Sequence, residues 1–276
     1  SWPKKKKWCL MCSDDAIVRT ENLTKIFGSG KKATKAVDDV SISINRKEIV
    51  SLVGQSGSGK TTLARMILRL LNPTAGKIIF EGRDITNIEG KEKKAYWRKA
   101  QAIFQDPYAS FNIFSPVKKV LLDTFKLFEN KFTKEEKWEM VCESLEAVNL
   151  RPDEVAEKFP FELSGGQRQR IMIARTHLIK PELLIADEPT SMIDANLRSG
   201  ILELLLDLRD TEGTTIMFVT HDLGLAYYVS ERLLIMHEGK IVEEGEADKI
   251  ISEPEHPYTR QLIADVPKLS EEWLLE

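Results

Sequence analysis

Residues 48–70 read Glu48-Ile49-Val50-Ser51-Leu52-Val53, then Gly54-Gln55-Ser56-Gly57-Ser58-Gly59-Lys60-Thr61, then Thr62-Leu63-Ala64-Arg65-Met66-Ile67-Leu68-Arg69-Leu70. Glycines, a lysine and a hydroxyl at this spacing build a phosphate cradle. Backbone N–H groups wrap the phosphates, Lys60 reaches the terminal ones, and Thr61 offers its hydroxyl to Mg²⁺. Gly54, Gln55, Ser56, Gly57, Ser58, Gly59, Lys60, Thr61 and Thr62 are therefore candidate nucleotide-binding positions. The flanks agree, since the apolar run before the cradle suits a buried strand and the run after it has the period of a helix. A nucleotide triphosphatase of the α/β class is the first expectation.

Composition narrows the alternatives. A chain of 276 residues can bury a large core as one big domain or two lobes. Hydrophobic content of 42% with 30% charged residues suits a soluble globular protein, and no apolar run approaches the length of a bilayer span. The net charge is −3 and the one dense basic run is Lys4–Lys7, so nucleic acid is not an expected partner. Cys9, Cys12 and Cys142 imply no disulfide framework. The single CxxC has no second pair or nearby histidine to complete a metal site, and Cys142 reads as a small buried apolar residue. Residues 1–15 read as a tail outside the fold, either solvated or lying on a membrane or partner surface.

Outward from the cradle, Ala16 to Thr24 suits a strand, followed by a loop over 25–30 with Phe27 at its edge. Val37 to Ile44 alternates as one half-buried strand. Asn72–Gly76 is a turn before a strand opening at Lys77, and Ala102–Phe104 is a short strand ending at Gln105-Asp106-Pro107. Between Val117 and Phe159 the texture is helical and charge-rich, with no strand candidates, and reads as an inserted lobe. It closes at Leu163-Ser164-Gly165-Gly166-Gln167-Arg168-Gln169-Arg170. Ser-Gly-Gly ahead of a helix leaves uncapped N–H groups at the positive end of the dipole, a second anion site in the same chain.

Leu183–Ala186 is a buried parallel strand carrying Asp187 and Glu188 at its carboxyl end, where open parallel sheets bind ligands. Asp187 can hold Mg²⁺, and Glu188 can polarise an attacking water. Leu197–Arg209 is an amphipathic helix. The strand Thr214–Thr220 ends in His221-Asp222, so Gln105, Asp187 and His221 reach one sheet edge from three strands. Strands at 232–236 and 240–244 follow, and the chain closes with His256-Pro257-Tyr258-Thr259-Arg260-Gln261-Leu262-Ile263 and a terminal helix.

Together these motifs resemble the ATP-binding subunit of ABC transporters, from about Ala16 to the end of the chain. GQSGSGKT is similar to the Walker A loop, Gln105 to the Q-loop, and LSGGQ at 163–167 to the family signature. LLIADE at 183–188 is similar to the Walker B strand, SMID at 191–194 to the D-loop, and His221 to the switch histidine. All occur in family order. Five fixed signature residues arise by chance in roughly one chain in several thousand at average usage.

The resemblance implies a P-loop NTPase fold with a RecA-like core sheet, an antiparallel β subdomain and a helical lobe inserted at about 106–165. Residues 16–255 would form the ATP-binding domain and 256–276 a C-terminal extension. It further implies ATP and Mg²⁺ as ligands. Phe27 would stack on adenine, and Thr61, Gln105 and Asp187 would face Mg²⁺. Lys60, Glu188, His221 and Gln105 would carry hydrolysis. Ser164, Gly165 and Gly166 would complete the nucleotide site of a facing subunit, and Gln167 and Asp194 are further nucleotide-binding candidates.

FQDPYASFN at 104–112 and HPYTRQLI at 256–263 resemble the dipeptide/oligopeptide permease branch, and PYAS is closer to its F-type than its D-type subunit. Ile113-Phe114-Ser115-Pro116 departs from the usual proline and arginine there, and with no cysteine after HPYT a tail iron–sulfur cluster is not expected. The resemblance implies an ATPase at the cytoplasmic face of the membrane that powers import of a peptide or oligosaccharide. The partners would be a second ATPase subunit (a D-type paralogue or another copy), two transmembrane permease subunits and, indirectly, an extracellular solute-binding protein. Phe111–Phe114 is a candidate permease contact or a packing segment between lobes. The alternatives are a soluble ABC ATPase acting on DNA or ribosomes, and an export ATPase. Only about 100 residues separate Lys60 from Ser164, too few for the long coiled coil of chromosome-maintenance relatives. Ribosome-acting relatives usually carry two cassettes, and the two branch motifs weigh against export.

Overall fold

The first strand outruns its local signal. In the computed structural model, which describes residues 15–105, 112 and 114–265, β1 (Ala16–Phe27) continues through the stretch expected as a loop. Lys25, Ile26 and Phe27 pair antiparallel with Val37, Lys35 and Thr34 of β2 (Thr34–Val40), so the partner strand and not the local pattern sets the boundary. The single strand expected over Val37–Ile44 is divided. β2 stops at Val40, and β3 (Ser43–Asn45) pairs with the opening of β1. Thr20 permits the break: its hydroxyl donates to the Val40 carbonyl and accepts from the Ile42 N–H, each at 3.0 Å, which pairs the backbone groups freed at the bend.

β4 (Ile49–Val53) leads into the glycine loop and α1 (Lys60–Ile67) leads out. β5 (Ala75–Phe80) starts two residues before Lys77, and the short β6 (Arg83–Asp84) pairs beside it. Among the described residues, β2, β1, β5 and β6 lie in that order, with β3 beside β1, as an antiparallel sheet. α2 (Gly90–Lys99) and β7 (Ala100–Ile103) follow. The Tyr96 hydroxyl donates to the Ile67 carbonyl at 2.7 Å and the Trp97 indole to the Leu68 carbonyl at 2.9 Å. Carbonyls orphaned at the end of α1 thus find partners, each worth about 1 kcal/mol net.

Between β7 and β8 the described residues form α3 (Val117–Asp123), α4 (Lys134–Ala147), the single turn α5 (Pro152–Val155) and α6 (Gly165–Ile179). Thr133 and Glu136 form a capping box at the start of α4. Cys142, expected to be buried, is only half-buried, because Val141, Ser144 and Leu145 form the inward stripe of α4.

After α6 come β8 (Leu183–Asp187), α7 (Ala195–Glu212), β9 (Thr215–Thr220), α8 (Leu223–Val229), β10 (Arg232–His237) and β11 (Lys240–Glu246). α9 (Ala247–Ser252) and α10 (Pro257–Ala264) close the described chain. The larger sheet runs β11-β10-β4-β9-β8-β7, parallel from β10 to β7 with β11 antiparallel at the edge. Every residue of β4, β8 and β9 is buried, as expected of parallel strands covered on both faces. Alternate side chains serve two cores. Ile49, Leu184, Ile216 and Phe218 pack with α6 and α7, whereas Val50, Leu52, Ile185 and Met217 pack with α1 and the antiparallel sheet. Full burial of each such side chain contributes roughly 1.5–3 kcal/mol.

Register levels the carboxyl ends. Ile103 faces Ala186, Asp187 faces Val219, and Val53 lies between Thr220 and Ile235. Gln105, Asp187-Glu188, His221, Gly54 and His237 therefore leave five neighbouring strands at one edge.

Candidate nucleotide-binding and hydrolytic site

The glycine loop is shaped by what lies behind it. A β-carbon at Gly54 would sit 2.2 Å from the Met236 carbonyl oxygen, and one at Gly59, where φ is +107°, would sit 2.1 Å from the Ala36 carbonyl oxygen. Glycine is required at both positions. The Gly239 N–H donates to the Ser58 carbonyl at 2.9 Å, so the β10–β11 turn closes the back of the loop. α1 has no side-chain cap at Gly59, which leaves its first N–H groups free of intrahelical partners, as an anion site needs.

Lys60 is buried, and its ammonium donates to the Gly54 carbonyl at 2.7 Å, the Gln55 carbonyl at 2.9 Å and the Ser58 hydroxyl at 3.5 Å. Burial lowers its pKa from the ordinary lysine value, opposed by the charges of Glu188 and Asp187. The Thr61 hydroxyl donates to Asp187 Oδ1 at 3.3 Å. Burial raises the Asp187 carboxyl above its usual range, and the Thr61 hydrogen bond offsets part of that rise. A hydroxyl and a carboxylate side by side are the hard oxygen donors that suit Mg²⁺. Among the described residues no group of three or more His, Cys, Asp or Glu is placed to hold a metal ion.

Glu188 follows β8 with φ at +49°, a left-handed conformation uncommon outside glycine. Its carbonyl accepts from the Ser191 hydroxyl at 3.0 Å and the Ser191 N–H at 3.2 Å, and its N–H donates to the Val219 carbonyl at 2.8 Å. This turn aims the carboxylate across the sheet edge, where Oε1 lies 3.0 Å from His221 Nδ1. Gln105 is exposed just past β7, next to residues outside the described set. Phe27 ends β1 and is 44% exposed, with the Lys25 ammonium 5.3 Å from its ring centroid.

The structure brings the glycine loop, Asp187, Glu188 and His221 together, and no hydrogen bond links Ser164–Gln167 to them among the described residues. The N–H groups at Ser164–Gln167 are not all uncapped, as the sequence suggested. The Ser164 hydroxyl accepts from the Gln167 N–H at 3.2 Å, and the Gln167 side chain accepts from the Ser164 N–H at 3.0 Å. Ser-x-x-Gln is itself a capping-box pattern. A β-carbon at Gly165 would lie 3.2 Å from the Met192 carbonyl oxygen, and one at Gly166 would lie 3.3 Å from a Leu197 methyl. Asp194 is the residue ahead of α7, without a side-chain cap bond. Of the Phe111–Phe114 stretch, Asn112 and Phe114 are described, and Phe114 is 82% exposed. The basic run, Cys9 and Cys12 lie outside the described residues. No described helix is long and apolar enough to cross a membrane.

Sequence reasoning assigned no role to Tyr258. Its hydroxyl accepts from the Gln55 N–H at 2.9 Å, joining the C-terminal helix to the glycine loop. No local signal reveals a contact that spans 203 positions.

Residues 37–191 match the ABC transporter family model, and residues 242–276 match that of the oligopeptide/dipeptide transporter C-terminal region. The dipeptide transport ATP-binding protein DppF of Lactococcus lactis subsp. cremoris is 41% identical over 260 residues, covering 93% of this chain and 83% of that protein. The oligopeptide transport ATP-binding protein OppF of Streptococcus mutans is 42% identical, covering 91% and 82%. A putative peptide import ATP-binding protein of Brucella ovis is 37% identical, covering 92% and 80%. Among solved structures, the dimeric ATP-binding cassette MJ0796 in a post-hydrolysis state bound to ADP and Pi superposes with a TM-score of 0.76 at 28% identity, covering 83% of this chain and 98% of that one. With its phosphate loop, its acidic strand end and both family models in register, the chain belongs to the ABC transporter family, as an ATP-hydrolysing subunit of the oligopeptide/dipeptide branch.

Proposed function

We propose that this chain binds and hydrolyses ATP as half of a head-to-tail ATPase pair that powers import through an oligopeptide/dipeptide-type permease. The observation that carries it is the level sheet edge, where the phosphate loop, Asp187-Glu188 and His221 converge, while a β-carbon at Gly165 or Gly166 would meet Met192 or Leu197 and no atom of that loop within 4 Å. A chain that carries both a phosphate loop and a Ser-Gly-Gly helix start has a use for the second if it completes the site on a partner's phosphate loop. The dimeric state of MJ0796 and the peptide-transport names of the relatives support the same reading. Both F-named relatives favour a D-type paralogue as the second ATPase, with a second copy as the other arrangement.

In this reading Phe27 stacks on the base, and Gly54 to Thr62 wrap the phosphates with Lys60 neutralising the terminal ones. Thr61, Asp187 and Gln105 would hold Mg²⁺, which supplies charge neutralisation at the phosphates. Glu188 orients and polarises the attacking water. His221 and Gln105 sense the γ-phosphate. The partner's Ser164–Gln167 segment, with Asp194, closes the site. Catalysis is then mainly positioning and charge stabilisation. The pair would sit at the cytoplasmic face of the membrane on two permease subunits.

The test is purification of the tagged chain from native membranes. Two membrane proteins should co-purify, and a cognate solute-binding protein loaded with solute should raise ATP hydrolysis by the complex. Recovery with ribosomes or DNA in place of membrane proteins would refute the import reading. The binding preference of that solute-binding protein decides between peptide and oligosaccharide.

A further inference from the structure

We propose that Tyr258 is a positioning residue for the phosphate loop, its hydroxyl fixing the Gly54–Gln55 peptide whose carbonyl holds the Lys60 ammonium. The inference rests on the reading of that loop as the nucleotide cradle. The Gln55 N–H that donates to Tyr258 and the Gly54 carbonyl that accepts from Lys60 are opposite ends of one planar amide. Holding one end sets the direction of the other. The C-terminal helix and the cradle lysine therefore act on the same rigid unit from its two sides.

Tyr258 is built to hold still. It is 6% exposed and packs in one apolar cluster with Val53 of β4, the strand that enters the loop, and with Leu233 and Ile235 of the neighbouring β10. Its ring stacks on His237 with centroids 3.9 Å apart and an interplanar angle of 22°. His237 ends the strand whose Met236 carbonyl excludes a side chain at Gly54. The start of α10 is pinned as well. Pro257 opens the helix, His256 Nδ1 accepts from the Tyr258 N–H at 3.2 Å, and the Glu243 carboxylate accepts from the N–H groups of Glu255 and His256 at 2.9 and 3.1 Å. A tyrosine needed only for packing would not place its hydroxyl on a loop amide. The extension thus forms the back wall of the nucleotide site, and loosening it frees an amide that nucleotide binding must then order.

Tyr258→Phe keeps the ring, its burial and its stacking and removes only the oxygen. The full chain should then bind mant-ATP about fivefold more weakly, the equivalent of one net hydrogen bond of about 1 kcal/mol. Hydrogen exchange at the Gln55 amide should quicken, while the KM for ATP rises more than kcat falls. A role in packing alone would move neither readout. An unchanged mant-ATP affinity in Tyr258→Phe, whatever the exchange rate, overturns the proposal, provided Lys60→Ala has lost affinity in the same assay. If Lys60→Ala binds mant-ATP as tightly as the parent, the reading of the cradle falls, and this inference falls with it.

Discussion

His221 Nδ1 lies 3.0 Å from Glu188 Oε1, and the two residues follow the ends of adjacent parallel strands. The contact exists because Glu188 adopts a left-handed turn that Ser191 secures. If this carboxylate polarises the attacking water, Glu188→Gln keeps the shape and loses the base. Turnover should drop by at least about 100-fold, the usual share of a general base. ATP affinity should be retained and the closed pair should accumulate on a sizing column in ATP. Undiminished steady-state hydrolysis would remove Glu188 from that role.

Phe27 gives a prediction that depends on its ring alone. It ends a strand, it is partly open to solvent, and Lys25 covers one face, so a base stacking there must displace or share that cation. Base–aromatic stacking contributes roughly 1–3 kcal/mol. Phe27→Ala should weaken ATP binding by about tenfold, and Phe27→Tyr or Phe27→Trp should restore it. Equal affinities across the series, measured by equilibrium titration, would show that adenine does not sit on this ring.

The parts of the fold legible in the sequence were those encoded locally. The apolar runs at Glu48–Val53, Leu183–Ala186 and Thr214–Thr220 announce buried strands, and the acids and histidine that follow them can be placed at one edge. What stayed hidden depended on partners remote in sequence. The extension of β1 to Phe27 is imposed by pairing with β2, and the break after Val40 is made by the hydroxyl of Thr20, twenty residues upstream. The Ser164 cap was readable as Ser-x-x-Gln, but two glycines drew attention to the anion site instead. The tie from Tyr258 to Gln55 has no sequence signature, because nothing in a tyrosine two residues past a histidine says which loop its hydroxyl will meet.

The two sheets are joined by a small charge network with a clear pH dependence. Arg46 reaches Glu81 at 2.7 Å and Glu182 at 2.9 Å, while Lys99 reaches the same two carboxylates at 2.5 and 2.9 Å. Burial alone would raise the Glu81 carboxyl, but its hydrogen bonds from Lys99 and Arg46 outweigh that and hold it at about 2. A depressed carboxyl contributes stability that is fully present above its unfolded value near 4.5 and is lost as pH falls toward 2. Allowing for solvent screening, Glu81→Gln should cost about 1 kcal/mol at neutral pH. The difference from the parent should shrink through that acid window in urea titrations. A gap that stays constant down to pH 3 would mean the charge is not what joins the sheets.

Ser164 supplies the sharpest test of assembly. Its hydroxyl caps α6, and a β-carbon at either neighbouring glycine would meet Met192 or Leu197 and no atom of the phosphate loop within 4 Å. If the segment acts on a partner's nucleotide, defects at Ser164 and Lys60 placed in different subunits must complement. A Ser164→Arg chain and a Lys60→Ala chain should each be inactive in self-pairs. A mixed pair joins the intact loop of the first to the intact Ser164 of the second, so one of its two sites is whole. An equimolar mixture should recover about a quarter of parent activity, since half the pairs formed at random are mixed and each carries one working site. A pair formed with a paralogue is tested the same way, by placing one defect in each partner. Mixtures as inactive as their components, although the mixed pair is seen by cross-linking, would mean that Ser164 does not complete the facing site.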